Sequence, residues 1–291
     1  MADLHTPRSL IITLYGAYGR RGASWPGGPK NGVGGGDRPI PVSALVRLLA
    51  AVGVDAPSVR SAVSRLKRRG LLVSARTADG AAGYALSDDA RQLLDDGDRR
   101  IYGRAQPRLS DGWVLAVFSV PEAERAKRHL LRSRLSRLGF GTAAPGVWIA
   151  PGGLYEETRH TLDRLQLAPY VDLFRGDHLG FAATAEAVAR WWDLPGIAAQ
   201  HEDFLARHEP VLREWETRPA ADGTAGERAY RDYLLALDSW RRLPYADPGL
   251  PVELLPDDWP GGRSAEVFAQ LHARLRDAGS AFVRPDALVR P

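Results

Sequence analysis

APSVRSAVSRLKRRGLLVSAR, Ala56 to Arg76, puts an apolar stripe and a cationic band on one short segment. At 100° per residue Val59, Ala62, Val63 and Leu66 share one helix face. Ser61, Ser64 and Arg68 point the opposite way, flanked by Arg60, Arg65 and Lys67. Asp55 is a cap, Pro57 fits a first turn, and Gly70 closes the helix after three consecutive basic residues. Leu71 to Arg76 then reads as a strand, Thr77 to Gly83 as a turn and Tyr84 to Ser87 as a returning strand. Upstream, Val42, Leu45, Val46, Leu49 and Val52 form the stripe of another helix, with Gly53-Val54-Asp55 as the turn between the two. A still earlier helix carrying Leu10, Ile11, Leu14 and Tyr18 completes a small core.

Three helices followed by a hairpin is the order of a winged helix-turn-helix, in which the second helix of the pair enters the major groove. Ser58, Arg60, Ser61, Ser64 and Arg65 are therefore the expected base-reading residues, and Lys67, Arg68 and Arg76 the expected phosphate contacts. An arginine-rich amphipathic helix alone is as often an ordinary solvated surface. The preceding helix and the hairpin tip the reading to DNA.

Charge follows the same division. Residues 1–110 carry 17 Lys+Arg against 9 Asp+Glu, while residues 111–291 carry 22 against 26. A phosphate-neutralising part joined to a part with another task fits that asymmetry. With 44% hydrophobic residues in 291, the chain is long enough for two or three domains. It holds no cysteine, which excludes disulfides, thiolate catalysis and Cys-ligated zinc. No basic start joins a long apolar run, and no apolar run reaches membrane-spanning length, so a cytoplasmic protein is expected.

Trp25 to Pro41, WPGGPKNGVGGGDRPIP, is too glycine-rich for a helix or strand interior and reads as a loop. It lacks the Gly-Lys-Ser/Thr ending of a phosphate-cradling loop; Lys30 and Arg38 offer backbone contacts only. Asp88 to Leu94 reads as a closing helix and Asp95 to Ser110 as a charged connector. WVLAVFSV, Trp113 to Val120, is a strand apolar on both faces. A basic amphipathic helix follows at Glu122 to Leu138, then two strands about Ala144-Pro145-Gly146, a helix at Glu156 to Leu165 and a strand at Tyr170 to Phe174. That βαββαβ order is the ferredoxin-like split motif. From Ala185 the chain is mainly helical, punctuated at Pro195, Pro210 and Pro219, with a break near Ala221 to Gly226 and a proline-rich segment from Pro244 to Pro260. Seven of the eight tryptophans lie beyond residue 111, and most are expected in the core.

Catalytic signatures are missing from the pattern. His201 and His208 are seven apart, not the four of a helical zinc pair, and are expected as surface or boundary histidines. Asp177-His178 has no nucleophile beside it, and no Gly-x-Ser-x-Gly elbow occurs. The chain is read as a non-enzyme, without metal or cofactor.

RSLIITLYGAYGRRG near the start, SVRSAVSRLKRRGLL, WDLPGIAAQHEDFL at 192–205 and above all LLALDSWRRLPYADPGLPVELLPDDWPG at 234–261 resemble the phenylacetate-degradation repressor (PaaX) family. The resemblance runs over nearly the whole chain. It implies an α+β multidomain protein with a winged helix-turn-helix at 1–94, a linker at 95–110, a ferredoxin-like domain at 111–184 similar to the small CRISPR-associated integration nuclease, and a helical domain at 185–291. It further implies a homodimeric repressor on palindromic double-stranded operator DNA, released by phenylacetyl-coenzyme A or another acyl-coenzyme A. The DNA role carries over through Ser58 to Arg68; no ligand-contact motif matches named positions. The rival is a metal-dependent nuclease built on the central domain. Against it, the first strand of that domain has Ser119 and Glu122 near its end and no aspartate, where those nucleases place one.

Overall fold

In the computed structural model, which describes residues 5–20, 39–77, 80–103, 107–217 and 225–283, caps and apolar spacing account for the N-terminal elements. Helix α1 (Pro7–Leu14) starts at Thr6, whose hydroxyl accepts the Ser9 N–H, and runs into a π turn at Tyr15–Gly19. A two-residue strand, β1 (Ile40–Pro41), leads into α2 (Val42–Ala50). Helix α3 (Ala56–Arg68) opens at Asp55, whose carboxylate accepts the Ser58 N–H at 2.8 Å. It is left through Gly70 at φ +70°, a left-handed conformation that a side chain would strain. Strands β2 (Leu72–Arg76) and β3 (Ala82–Leu86) pair antiparallel with Leu72 opposite Leu86 and Arg76 opposite Ala82. Strand β1 adds to β3, with Ile40 opposite Tyr84, so the last two residues of the expected glycine-rich loop are strand. Residues 25–38 of that loop, with Lys30 and Arg38, lie outside the described residues.

Val59, Ala62, Val63 and Leu66 of α3 are buried against Leu10, Ile11 and Leu14 of α1 and Leu45, Leu48 and Leu49 of α2. Each such aliphatic side chain contributes about 1.5–3 kcal/mol relative to exposure. Helix α4 (Asp88–Tyr102) corrects the expected boundary at Leu94: residues 95–102 are helix, not connector. Asp95 and Asp98, which look solvated in sequence, are held by Arg20, whose guanidinium donates to them at 2.5 and 2.6 Å.

Strand β4 (Trp113–Phe118), α5 (Arg125–Leu138), β5 (Gly141–Ala144), β6 (Val147–Pro151), α6 (Tyr155–Arg164) and β7 (Val171–Gly176) follow in the expected order. Their antiparallel neighbours run β5-β6-β4-β7, so each helix crosses between parallel but non-adjacent strands. Val114 and Ala116 pack under Leu131, Leu135 and Leu162 of the two helices. Trp113 and Ile149, on the opposite face, pack with Val188 of α7 (Thr184–Trp191), Trp192 and Ile197. Strand β4 is thus buried on both faces at its start, and its end opens, with Val117 37% exposed.

Helix α8 (Leu194–Thr217) contains Pro210, where a break was expected; the helix persists with Phe204, His208 and Leu212 buried on both sides of the proline. Pro219 and residues 221–224 lie outside the described residues. Helix α9 (Ala225–Trp240), the single turn α10 (Leu243–Ala246) and α11 (Gly261–Val283) complete the chain. The whole is an α+β, multidomain fold with a helical C-terminal region. It divides into two compact units, one of Met1–Arg104, Asp203–Arg241 and Arg263–Pro291, the other of Ala105–Glu202 and Arg242–Gly262. C-terminal helices therefore contribute to both units instead of forming one consecutive block: Tyr230 and Leu234 of α9 belong to the same core as α1, α2 and α3.

Candidate nucleic-acid interface

Helix α3 carries no acidic residue, and its outer face is cationic and hydroxylic. Arg60, Ser61, Ser64, Arg65, Lys67 and Arg68 are exposed; Ser58 is half-buried. Arg65 folds back, Nη2 donating to Ser61 Oγ at 3.0 Å. The Ser58 hydroxyl donates to Asp55 Oδ2 at 2.8 Å. Ser58 N–H, and then its hydroxyl, hold the Asp55 carboxyl below the usual carboxylate range. Three of the five expected base-reading side chains thus have local partners, Ser58 with Asp55 and Ser61 with Arg65, whereas Arg60 and Ser64 have none among the described residues.

The hairpin sits beside this face. Lys67 Nζ lies 5.8 Å from the centre of the Tyr84 ring on β3, a cation–π contact that ties the end of α3 to the hairpin. Tyr15 Oη donates to the Tyr84 carbonyl at 2.6 Å and anchors the same strand to the π turn. Exposed Arg76 donates to the Gly80 carbonyl at 2.8 Å within the turn. All eight expected contact residues belong to the first unit, seven on α3 and Arg76 at the end of β2.

Beneath α1 lies a network absent from the sequence reading. Asp238 of α9, fully buried, accepts from Ser9 Oγ at 2.5 Å and Thr13 Oγ1 at 2.7 Å and pairs with His5 Nδ1 at 2.9 Å. Arg241 donates to Thr13 Oγ1 at 2.8 Å. A carboxylate in the apolar run YLLALDSW is the signal that marked it. Burial raises Asp98 above the usual carboxylate range, with Arg20 opposing.

His201 and His208 are buried, contrary to the surface or boundary position expected of them. His201 pairs with Asp247 at 3.1 Å and His208 with Ser239 at 2.9 Å, partners 46 and 31 residues away that no local spacing signals. Burial pushes His208 and His272 down to about 4. His178 Nδ1 lies 3.2 Å from Thr184 Oγ1. At the end of β4, Glu122 is ion-paired with Arg128 at 2.9 Å. Among the described residues no group of three or more His, Asp or Glu is placed to hold a metal, and no helix is long and apolar enough to cross a membrane.

Fold and site together define a multidomain α+β protein that presents a cationic helix and an adjoining hairpin from its N-terminal unit. Residues 33–90 match the family described as PaaX-like protein, residues 106–188 the PaaX protein central Cas2-like domain, and residues 192–285 the PaaX-like protein C-terminal domain. The chain is similar to the transcriptional repressor PaaX of Escherichia coli (strain K12), 28% identical over 279 residues, which are 94% of this chain and 82% of that protein. An uncharacterized Mycobacterium tuberculosis protein, Rv0674, has the same fold: TM-score 0.58 at 23% identity, covering 96% of this chain and 99% of that one. The chain belongs to the PaaX family.

Proposed function

We propose that this chain is a DNA-binding transcriptional repressor whose first three helices and hairpin act as a winged helix-turn-helix. The observation that carries the reading is the acid-free outer face of α3, with four exposed cations, Arg60, Arg65, Lys67 and Arg68, beside the hairpin. In the major groove Arg60 and Arg65, with Ser58, Ser61 and Ser64, read base edges; Lys67, Arg68 and Arg76 hold phosphates. For Arg65 to reach a guanine, its bond to Ser61 must open, which frees the Ser61 hydroxyl as well. Residues 1–102, through the end of α4, are the reading domain, the segment from there to 110 the linker, 111–184 a ferredoxin-like dimerisation or signal-transmitting domain and 185–291 the helical effector-responsive part, of which α9 shares the core of the first unit. Similarity to a transcriptional repressor supports the reading.

The working form in this account is a homodimer on a palindromic site. On the ferredoxin-like sheet, Val117 and Phe174 lie on one face, 37% and 56% exposed. Leu179 and Phe181, just after β7, are also exposed, and uncovered apolar surface of this kind suits a second copy. A two-fold pair of α3 helices meets half-sites about one helical turn, 34–36 Å, apart. An acyl-coenzyme A effector releases the DNA by favouring a different spacing of the two helices.

Light scattering of the protein with a duplex from its own gene's upstream region, with and without phenylacetyl-coenzyme A, tests this. The reading predicts two chains per duplex, a complex lost on adding the thioester, and one chain per particle for Phe174→Glu. A one-to-one complex indifferent to the thioester contradicts the dimer and the effector while leaving the reading helix standing.

A further inference from the structure

Helix α5, RAKRHLLRSRLSRL, is a second strongly cationic helix, with six Lys or Arg, one His and no acid in 14 residues. The proposed function leaves it without a task. Only Leu131, Leu135 and Leu138 are buried, and the remaining faces point outward. At 100° per residue Arg125, His129 and Arg132 fall within about 60° of one another, one row along one flank. The row runs seven steps of the helix from Arg125 to Arg132, about 10 Å. It borders an open hollow of about 470 Å³ lined by Glu122, Arg125, Arg128, His129 and Arg132.

Acidic neighbours do not silence this row. Glu122 is held by Arg128, which also donates to the Val120 carbonyl at 2.7 Å. Arg125, His129 and Arg132 have no acidic partner among the described residues. On the opposite flank, burial and the nearby charges of Arg137 and Arg164 lower the pKa of Arg134, a mark of crowded like charge.

We propose that the Arg125–His129–Arg132 row is a second, sequence-independent contact for the phosphate backbone of duplex nucleic acid. Phosphates of one strand rise about 3.4 Å per step along the duplex axis but lie about twice that apart along the winding strand, so a row of about 10 Å reaches about two of them. A small anion calls for convergent, enclosed donors, whereas this row is linear and open. Single strands call for exposed aromatic platforms. Here the nearby ring of Trp148 is buried and Phe118 is half-buried. The row deepens the DNA-binding reading, on which it rests for the identity of the polyanion, and adds affinity without sequence choice.

The test is salt-dependent binding of a mixed-sequence 40-base-pair duplex to the full chain. Four proteins are compared, and the second and fourth are also combined in one chain: wild type, Arg125→Gln/Arg132→Gln, Arg125→Lys/Arg132→Lys, and the α3 variant Arg60→Ala/Arg65→Ala/Lys67→Ala. Removing two phosphate contacts flattens the log K against log[salt] slope by about 2. The Gln pair is expected to show that flattening with an unchanged circular dichroism spectrum, the Lys pair to keep the slope, and the α3 variant to keep residual binding that the Gln pair removes when combined with it. A Gln pair with wild-type slope and affinity overturns the proposal while leaving the α3 reading intact. No duplex binding by any of the four overturns both. Inorganic pyrophosphate binding at micromolar concentration that the Gln pair removes, with the duplex slope unchanged, overturns it in favour of a small-anion site.

Discussion

Replacing Asp238 by alanine removes the acceptor shared by Ser9, Thr13 and His5 and leaves a space where the carboxylate was. Ser9 and His5 are only partly buried and turn to water, at small cost. Thr13, 2% exposed, keeps its bond from Arg241 but its own hydroxyl proton has lost its acceptor. An unsatisfied buried donor costs about 1–3 kcal/mol, and breaking a buried charged network about 3–5. Relief from desolvating a buried carboxylate offsets part of this, so about 3 kcal/mol of the first unit's stability is at stake. Asp238→Asn keeps one acceptor oxygen and costs about half as much. In urea, followed by tryptophan fluorescence, an m-value of about 3 kcal/mol per M converts the alanine loss into a midpoint lowered by about 1 M. The ordering wild type, Asn, Ala is expected. An alanine variant with the wild-type midpoint refutes the claim that this network pins α1 to α9.

Arg60→Ala or Arg65→Ala is expected to cost about 1–3 kcal/mol on a specific site and to relax base preference locally, read by selection from a randomised duplex; an unchanged motif removes that residue from base readout. His208 and His272 stay neutral in the folded chain down to about pH 4 but protonate near pH 6.5 once unfolded. The unfolded chain therefore binds more protons between those values, so stability is full above about pH 6.5 and is lost as pH falls towards 4, by at most about 1.4 kcal/mol per unit for each histidine. Urea midpoints at pH 7 and pH 5 should fall accordingly, and His208→Asn should flatten the fall; an equal fall in that variant contradicts the assignment. Gly141 has no room for a methyl group, since an added Cβ would lie 2.6 Å from the Trp191 carbonyl oxygen and 2.8 Å from the Trp192 ring. Gly141→Ala should lower the melting temperature measurably, where Gly153→Ala, with open space around it, should not.

Local patterns were legible and distant pairings were not. The four apolar positions of α3, its Asp55 cap and its Gly70 exit depend on neighbours within four residues, and each stands in the structure where periodicity and capping chemistry put it. Exposure of Arg60, Ser64, Arg65 and Arg68 follows from the same periodicity. That Arg65 rests on Ser61 and Ser58 on Asp55 is a choice among near neighbours, which spacing alone does not decide. Asp238 with Ser9, Arg20 with Asp98 and His201 with Asp247 join residues 229, 78 and 46 apart, so their charges read as surface until the fold brings them together. The same blindness put the end of α4 at Leu94, because Asp95, Asp96 and Asp98 resemble a solvated connector when Arg20 is out of sight.

The measurement that bears most directly on the account is a fluorescence-anisotropy titration of the full chain against the upstream DNA of its own gene and a scrambled duplex of equal length. It is run at several salt concentrations, with Arg60→Ala/Arg65→Ala beside the wild type. The account predicts tighter wild-type binding to the native duplex, a steep fall with salt on both duplexes, and loss of the preference in the variant. Binding to neither duplex at low salt, or a preference that survives removal of both arginines, contradicts the assignment of α3 as the reading helix.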